Sequence, residues 1–316
     1  MSDTERVLVT GGAGFIGSNL VRLLLSQGYR VTVYDNHRAS APPEYLEGLD
    51  IDVVNGDITD RAGLEAAVPG HDAIVHLAAQ SGVPTSIEDP ETDCHLNVIG
   101  TLRTLDAARE AGVKHFVFAS SNAPLGRQSP PSSEDKAPLP VSPYGASKLA
   151  GEAYCLAYNG SWGLQTIALR FANVYGPFSA HKASVVARFI RNIKRDGRLE
   201  LFGGGEQTRD FVYVRDLCHA IGLALRSDVG GEVFQIGTGI ETSIRRLATL
   251  LSDISGTEIS TASAPPLRGD VKRSRSSIEK IGSVLGWEPE IILEEGLRET
   301  WRWAEDWYRT HAVEAD

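Results

Sequence analysis

The sequence has few cysteines and no long hydrophobic run, and both absences narrow the class of protein. Its 316 residues include only three cysteines, Cys94, Cys155 and Cys218, with no C-x-x-C pair among them. Neither a disulfide framework nor a zinc knuckle is indicated. The eight histidines show no H-x-x-x-H spacing, so no metal site is expected. No segment approaches about 18 uncharged apolar residues, which predicts a cytoplasmic protein without a membrane anchor.

Positive charge is also scarce. The chain has 31 Lys and Arg against 41 Asp and Glu, a net charge of −10. A protein that binds nucleic acid needs a cationic face, so a nucleic-acid partner is not expected. Hydrophobic residues make up 42% of the chain, which excludes disorder, and the length suffices for one large domain or two modest ones.

Strands and helices alternate from the start of the chain. The first unit comprises a strand at residues 6–10, a turn with Gly11, Gly14 and Gly17, a helix at 19–27 that ends at Gly28, and a strand at 30–34. This is a βαβ unit. Further strands are predicted at 51–54, 73–77, 115–119 and 166–170. The alternation predicts an α/β fold with a Rossmann-like, doubly wound parallel sheet.

Beyond Gly176 the alternation weakens. The pattern there predicts a helix at 184–195, a strand at 210–214, a helix at 216–226, a strand at 232–237 and a final helix at 293–308. We therefore expect a dinucleotide-binding domain at 1–175, with later returns near 211–240. A smaller mixed α/β C-terminal substrate lobe would comprise 176–210 and 241–316. Residues 129–143 contain five prolines and must form a loop, either functional or a surface excursion.

The glycine turn predicts a dinucleotide site. Gly11, Gly14 and Gly17 lie between a strand and a helix, where backbone N–H groups can face a pyrophosphate. Asp35 follows Gly17 by 18 residues, at the end of the second strand, where a carboxylate accepts hydrogen bonds from the adenosine ribose. The same carboxylate repels a 2′-phosphate, which favours NAD over NADP, although Arg38 lies close by.

A tyrosine and a lysine four residues apart predict a general base. If a helix begins near Pro143, then Tyr144 and Lys148 share one face. The ammonium would lower the pKa of the phenol, which could then take a proton from a sugar hydroxyl. The alternative is an exposed pair without a role, which the nearby dinucleotide fingerprint disfavours.

These motifs together resemble the extended short-chain dehydrogenase/reductase family, and its sugar-nucleotide epimerases and dehydratases most of all. The segments that carry the resemblance are 10–18 (TGGAGFIGS), 56–58 (GDI), 76–79 (HLAA), 144–148 (YGASK), 170–177 (RFANVYGP), 209–216 (RDFVYVRD) and 285–289 (LGWEP). It covers nearly the whole chain.

The resemblance implies a set of NAD contacts. They are Gly11, Gly14, Phe15, Ile16, Gly17, Asp35, Asn36, Asp57, Ile58, Leu77, Ala78, Ala79, Asn97, Ser120, Tyr144 and Lys148. Asp57 and Ile58 would contact the adenine, and Ser120 would lie near the nicotinamide. For Asn97 an alternative is an amide that only packs between helices.

The resemblance also implies a catalytic set and a reaction. The catalytic hydroxyl, counted back from Gly126, is Ser121, which would act with Tyr144 and Lys148. Dehydratases of the family follow this hydroxyl with an Asp-Glu pair, and decarboxylases keep a glutamate, whereas this chain has Asn122 and Ala123. Without a carboxylate the elimination lacks its proton-transfer groups, so 4-epimerisation of a UDP-sugar is expected. It would proceed through a 4-keto intermediate with transient hydride transfer to NAD.

The substrate contacts implied by the resemblance come from scattered positions. They are Ser121, Asn173, Phe202, Arg209, Arg268 and Asp270. Core packing is an equal alternative for Phe202. His181 and Lys182 are expected in a solvated loop, and the alternative is that one of them approaches the sugar or phosphate. Leu125 replaces a family tyrosine with a consequence that the sequence leaves open.

Other functions stay open at this point. The expected 4-epimerase would act on UDP-glucose, UDP-N-acetylglucosamine or UDP-glucuronate. The alternatives are a dehydratase, decarboxylase or keto-reductase of the same family, and a nucleotide-sensing protein without turnover. By resemblance we expect a homodimer that pairs helices near 93–111 and 144–158.

Overall fold

A seven-stranded parallel sheet forms the centre of the fold. The structure is a computed structural model and describes residues 5–38, 41–265 and 271–312. Its strands are β1 (Arg6–Thr10), β2 (Arg30–Asp35), β3 (Asp52–Asn55), β4 (Ala73–His76), β5 (His115–Ser121), β6 (Gln165–Phe171), β7 (Asn173–Tyr175), β8 (Arg198–Phe202), β9 (Thr208–Arg209), β10 (Phe211–Tyr213), β11 (Glu232–Ile236), β12 (Thr242–Ser243) and β13 (Ser260–Ala264). The main sheet has the order β11-β6-β5-β4-β1-β2-β3. The predicted doubly wound sheet is thereby confirmed.

Helices connect the strands and cover the sheet. They are α1 (Phe15–Ser26), α2 (Arg61–Ala67), α3 (Val83–Glu88), α4 (Pro90–Cys94), α5 (Gly100–Glu110), α6 (Pro143–Trp162), α7 (Val185–Arg195), α8 (Val214–Arg226), α9 (Ile244–Ser255), α10 (Glu279–Leu285) and α11 (Leu293–Thr310). A π-helical turn, His95–Ile99, joins α4 to α5. None of the helices within the described ranges has both the length and the apolar character that spanning a bilayer requires.

The core lies on both faces of the sheet. Helices α1 and α8 pack together on one face, and α2, α5 and α6 pack on the other. In β1 the side chains alternate between the two layers, with Val7 and Val9 in one hydrophobic cluster and Leu8 in the other. All three are fully buried, which is why β1 reads as a continuous hydrophobic run. Each such side chain contributes about 1.5–3 kcal/mol of burial free energy.

Two helix starts differ from the sequence prediction by more than one residue. Helix α1 begins at Phe15, four residues before the predicted start, because the glycine turn itself provides the first turn, with Ser18 N–H donating to Gly14 O at 2.9 Å. Helix α8 begins at Val214, two residues early. Helix α6 starts at Pro143 as predicted, where the Ser142 hydroxyl caps the Gly145 N–H at 3.1 Å.

The second half of the chain adds three small sheets. Strand β7 pairs with β10 and β8 with β13 in parallel, and β9 pairs with β12 in antiparallel fashion. The buried carboxylate of Asp210 joins these parts, because it accepts backbone hydrogen bonds from Thr238, Gly239 and Ser276 at 2.7–3.0 Å. The three segments are therefore held at one point next to the main sheet.

Candidate active site

A cavity of about 410 Å³ opens at the carboxyl ends of the main-sheet strands. Its wall comes from residues that follow or end β1, β2, β4, β5 and β6, and from α6. Strand order reverses between β1 and β4, and this is where doubly wound sheets bind ligands.

The glycine turn fits a dinucleotide. A Cβ on Gly11, which has φ +69°, would lie 2.6 Å from the Ala78 nitrogen, and one on Gly17 would lie 2.5 Å from the Gly11 oxygen. Both positions therefore require glycine. Gly11, Gly14 and Gly17 line the cavity at the amino terminus of α1, as binding of a pyrophosphate to backbone N–H groups needs.

Asp35 and Asn36 line the end of the cavity next to β2. The Asp35 carboxylate accepts the Ala13 N–H at 3.0 Å and the His37 N–H at 2.8 Å, which fixes its position. Asn36 donates to Asp57 at 2.8 Å. Burial acts to raise the pKa of Asp57, but hydrogen bonds from Thr59 and Asn36 outweigh it and lower the pKa. Asp57 thus orients Asn36, while Ile58 and Arg38 contribute to the wall directly.

The middle of the cavity is lined by Leu77, Ala78 and Ala79, after β4. Asn97 lies behind this wall and is 1% exposed. Its amide accepts the Gln80 N–H at 2.8 Å and donates to Asp93 at 2.9 Å. This position agrees with the packing alternative, since Asn97 holds the chain after Ala79 rather than the cavity itself.

Helix α6 and the end of β5 bring the predicted catalytic residues together. Tyr144 and Lys148 both line the cavity, one helical turn apart, and so does Ser120. The Ser121 hydroxyl lies near enough to the Tyr144 hydroxyl to act against the rise of the Tyr144 pKa. The Lys148 ammonium donates to the Ala119 carbonyl at 2.8 Å and lies 5.9 Å from the centre of the Tyr144 ring. This gathers a hydroxyl, a phenol and an ammonium at one end of the cavity.

The phenol pKa differs from the sequence expectation. Burial raises the pKa of Tyr144 to about 12, with the Ser121 hydroxyl opposing and the Asp93 charge adding to the rise. Burial also lowers the pKa of Lys148 to about 8, against the charges of Asp93 and Glu152. The predicted lowering of the phenol pKa by Lys148 is therefore wrong for the protein alone, because burial dominates and the ammonium hydrogen-bonds a carbonyl.

A buried ion pair stands behind these residues, and sequence reasoning missed it. Arg170 binds Glu152 with two hydrogen bonds of 2.9 and 2.8 Å, and the Ser120 hydroxyl donates to the same carboxylate. Glu152 follows Tyr144 and Lys148 at the same four-residue spacing, which was the available signal. The pair ties α6 to β5 and β6.

Four of the predicted substrate residues fall within the described ranges, and none of them lines this cavity: Ser121, Asn173, Phe202 and Arg209. Asn173 opens β7, and Phe202 ends β8 with the Arg188 guanidinium 5.4 Å from its ring centre. Arg209 donates to the carbonyls of Thr208 and Val271 at 2.7 Å. Arg268 and Asp270 lie outside the described residues.

His181 and Lys182 lie in the loop after β7, where both are half-buried and line the cavity. Burial and the Lys182 charge lower the pKa of His181 to about 4, so the imidazole is neutral at pH 7. Leu125 is 1% exposed and packs in the short helical turn after Ser121.

Known proteins match this chain over most of its length. A model of the NAD dependent epimerase/dehydratase family matches residues 7–237. A UDP-glucose 4-epimerase of Mycolicibacterium smegmatis is 39% identical over 307 residues, which are 93% of this chain and 97% of that protein.

Solved structures match equally well. A UDP-glucose 4-epimerase of Thermotoga maritima, solved with UDP-glucose, has a TM-score of 0.91 and 37% identity, covering 95% of this chain and 99% of that one. The UDP-glucose 4-epimerase of Thermus thermophilus, solved with NAD, has a TM-score of 0.88 at the same identity and coverage. Relatives named as a dTDP-glucose 4,6-dehydratase and a UDP-N-acetyl-alpha-D-glucosaminuronate decarboxylase match at 34% and 33% identity, so similarity alone leaves the reaction open.

Proposed function

Because the chain belongs to the NAD dependent epimerase/dehydratase family, its cofactor is NAD, and we propose that its reaction is the 4-epimerisation of a UDP-sugar. One observation carries the choice of reaction. Asn122 and Ala123 follow Ser121 at the end of β5, so neither of the two positions after the proposed catalytic hydroxyl carries a carboxylate. Epimerisation needs a single base, whereas elimination of water needs further acid and base groups beside the sugar. The named 4-epimerases among the relatives support the same choice.

In the proposed mechanism the chain moves one proton. The Tyr144 phenolate takes the proton of the sugar 4-hydroxyl, and the nearby Ser121 hydroxyl, which acts to lower the Tyr144 pKa, would donate a hydrogen bond to the phenolate oxygen. Bound NAD supplies the hydride acceptor for carbon 4 and, in its oxidised form, a positive charge that lowers the pKa of a nearby phenol. Lys148 adds a second positive charge below pH 8. Once the 4-keto sugar has rotated in the site, return of the hydride to the other face of carbon 4, with return of the proton from Tyr144 to the 4-oxygen, would give the opposite epimer and restore NAD to its oxidised form.

The experiment is a product assay with three sugars. The purified protein is incubated separately with UDP-glucose, UDP-N-acetylglucosamine and UDP-glucuronate, and products are followed by NMR. We expect the 4-epimer of at least one sugar, with no net consumption of NAD. A deoxy-keto sugar would instead show a dehydratase, a pentose product a decarboxylase, and stoichiometric use of a reduced cofactor a keto-reductase.

Binding without turnover would favour the remaining alternative. A nucleotide-sensing protein would bind all three UDP-sugars and convert none of them. The neighbouring hydroxyls of Ser121 and Tyr144, with Lys148 beside them, speak against this, because a sensor has no need of a base held in that arrangement.

We further propose how the chain is divided and assembled. Residues 1–175, with returns near 211–240, would hold NAD, and residues 176–210 and 241–316 would hold the sugar nucleotide. The apolar exposed side of α6 supports a homodimer, and we retain the cytoplasm as the site of action. The predicted substrate contacts Asn173, Phe202 and Arg209 belong to this proposed division.

A further inference from the structure

Lys182 is a cation at the mouth of the cavity without an anionic partner. Its ammonium donates to the Ser81 hydroxyl at 3.1 Å. Among the described residues no carboxylate pairs with it. An ammonium has three N–H donors, so a single hydroxyl leaves two of them for another acceptor. Burial lowers the pKa of Lys182, as expected for a charge that lacks compensation at its site.

The loop that carries Lys182 is held on both sides. Tyr45, which is fully buried, accepts the Ala180 N–H at 3.2 Å. From α7, Arg191 donates to the carbonyls of Ala180 and Lys182 at 3.1 and 3.3 Å. The backbone on either side of the lysine is therefore fixed.

Phe178 anchors the start of the same loop. Its φ of +63° is unusual for a bulky residue. Contacts offset that strain, because the ring packs against Tyr45 and Trp303 at 5.3 and 5.5 Å, and the Arg22 guanidinium lies 4.2 Å from the ring centre. In a loop without these contacts Phe178 would adopt an unstrained φ, so the contacts hold the loop in one conformation.

The other basic groups near the mouth are not available. The Lys148 ammonium donates to the Ala119 carbonyl, and the imidazole of His181 is neutral at pH 7. The Arg191 guanidinium donates hydrogen bonds to the backbone carbonyls of the loop. Among the described residues at this end of the cavity, Lys182 is therefore the positively charged side chain that a fixed loop holds next to the cavity.

We propose that Lys182 binds an oxyanion of the sugar nucleotide, leaving Ser81 when that anion arrives. The inference rests on the proposed substrate class. Two oxyanions have the required chemistry, the diphosphate that every UDP-sugar carries and the carboxylate of a hexuronate. An ammonium binds either anion as a point charge. The proposal therefore states the chemistry that the two anions share, and the experiment distinguishes the diphosphate from the carboxylate.

The test compares Lys182→Met with Lys114→Met as a matched control. Lys114 precedes β5 at the opposite edge of the sheet, and its side chain is 73% exposed. With the protein saturated with NAD, dissociation constants are measured by calorimetry for UDP, UDP-glucose and UDP-glucuronate. Loss of a charge-assisted hydrogen bond should raise the dissociation constant about tenfold or more in Lys182→Met. Lys182→Arg should recover part of the loss.

The pattern across the three probes identifies the anion. Equal weakening of all three assigns Lys182 to the diphosphate, and weakening of UDP-glucuronate alone assigns it to the carboxylate. The proposal is wrong if Lys182→Met binds all three probes as tightly as the control does, or if the substitution weakens only the binding of NAD. Because these are binding measurements, a wild-type protein that binds UDP-sugars but makes no 4-epimer would refute the proposed reaction and leave this test intact.

Discussion

At the scale of the residue, the proposed mechanism depends on the hydroxyl of Tyr144. Removing it in Tyr144→Phe keeps the ring that lines the cavity but deletes the base, so we expect kcat to fall by about 10²–10⁴-fold. NAD should remain bound, because the glycine turn and Asp35 are untouched. Tyr154→Phe on the same helix, 37% exposed, is the matched control. Measurement of epimer formation by NMR and of NAD content by absorbance checks both statements, and turnover like that of the control would refute the role of Tyr144.

Lys148 illustrates a conflict between stability and function. Its side chain is 3% exposed and its pKa is lowered from 10.5 to about 8, mainly by burial. Below pH 8 the ammonium is charged in both the folded and the unfolded state, and the cost of burying it is fully present, roughly 3 kcal/mol. Between pH 8 and 10.5 the unfolded state binds more protons, so stability rises with pH and the cost disappears.

We therefore expect Lys148→Met to be inactive yet more stable. At pH 7, without NAD, its free energy of unfolding should exceed that of the wild type by about 1–3 kcal/mol, since the lost hydrogen bond to Ala119 offsets part of the gain. Urea unfolding at pH 7 and 9.5 should show the difference shrinking at the higher pH. A difference that is absent at pH 7, or constant with pH, would contradict the buried-charge explanation.

At the scale of the element, the sequence predicted local features and missed distant ones. Strand β1 agrees with residues 6–10 because its burial on both faces leaves an unbroken apolar run. The sequence did not predict that the loop with His181 and Lys182 packs against the rest of the fold, because its position depends on Tyr45 and on Trp303, each more than 100 residues away along the chain. No local pattern encodes such contacts. The one sign of these contacts in the sequence was Phe178, an apolar residue in a loop.

The same loop gives a prediction for Tyr45. Tyr45→Phe keeps the ring contacts but leaves the Ala180 N–H without its acceptor, at a cost of about 1–3 kcal/mol. If the loop positions Lys182, the KM for the UDP-sugar should rise several-fold while kcat and NAD affinity stay close to the wild type. Steady-state kinetics and NAD titration separate these effects. A loss of stability with an unchanged KM would show that the hydroxyl only supports the fold.

At the scale of the whole molecule, the net charge of −10 describes the surface and not the site. An acidic protein can still bind an anionic dinucleotide, because the backbone N–H groups at the glycine turn act locally. In the same way a single cation such as Lys182 would suffice for the oxyanion of the proposed sugar nucleotide. Most of the residues that the sequence predicts as NAD contacts line the cavity, although Asp57 and Asn97 do not, and the predicted glycine turn, strand end and helix lie close together in the chain. The buried pair of Glu152 and Arg170 was out of reach, because it joins α6 to β6 through side chains.

The exposed side of α6 bears on assembly. Ala146, Ala153, Leu156, Ala157 and Gly160 are all exposed and follow one another at helical spacing, opposite the face that carries Tyr144 and Lys148. An apolar helix face of this kind marks an interface. A homodimer through α6 would cover it without blocking the cavity, since the cavity is on the other side of the helix.

The dimer prediction is tested by one charge on that face. We expect light scattering on the eluting protein to give twice the subunit mass for the wild type and a single subunit mass for Leu156→Glu, whose position is 42% exposed. A carboxylate buried at the centre of an apolar interface costs more than the interface can supply. Val284→Glu, at a comparably exposed apolar position on α10, controls for a general effect of added charge and should remain dimeric. A monomeric wild type, or a dimeric Leu156→Glu, would show that α6 does not mediate assembly.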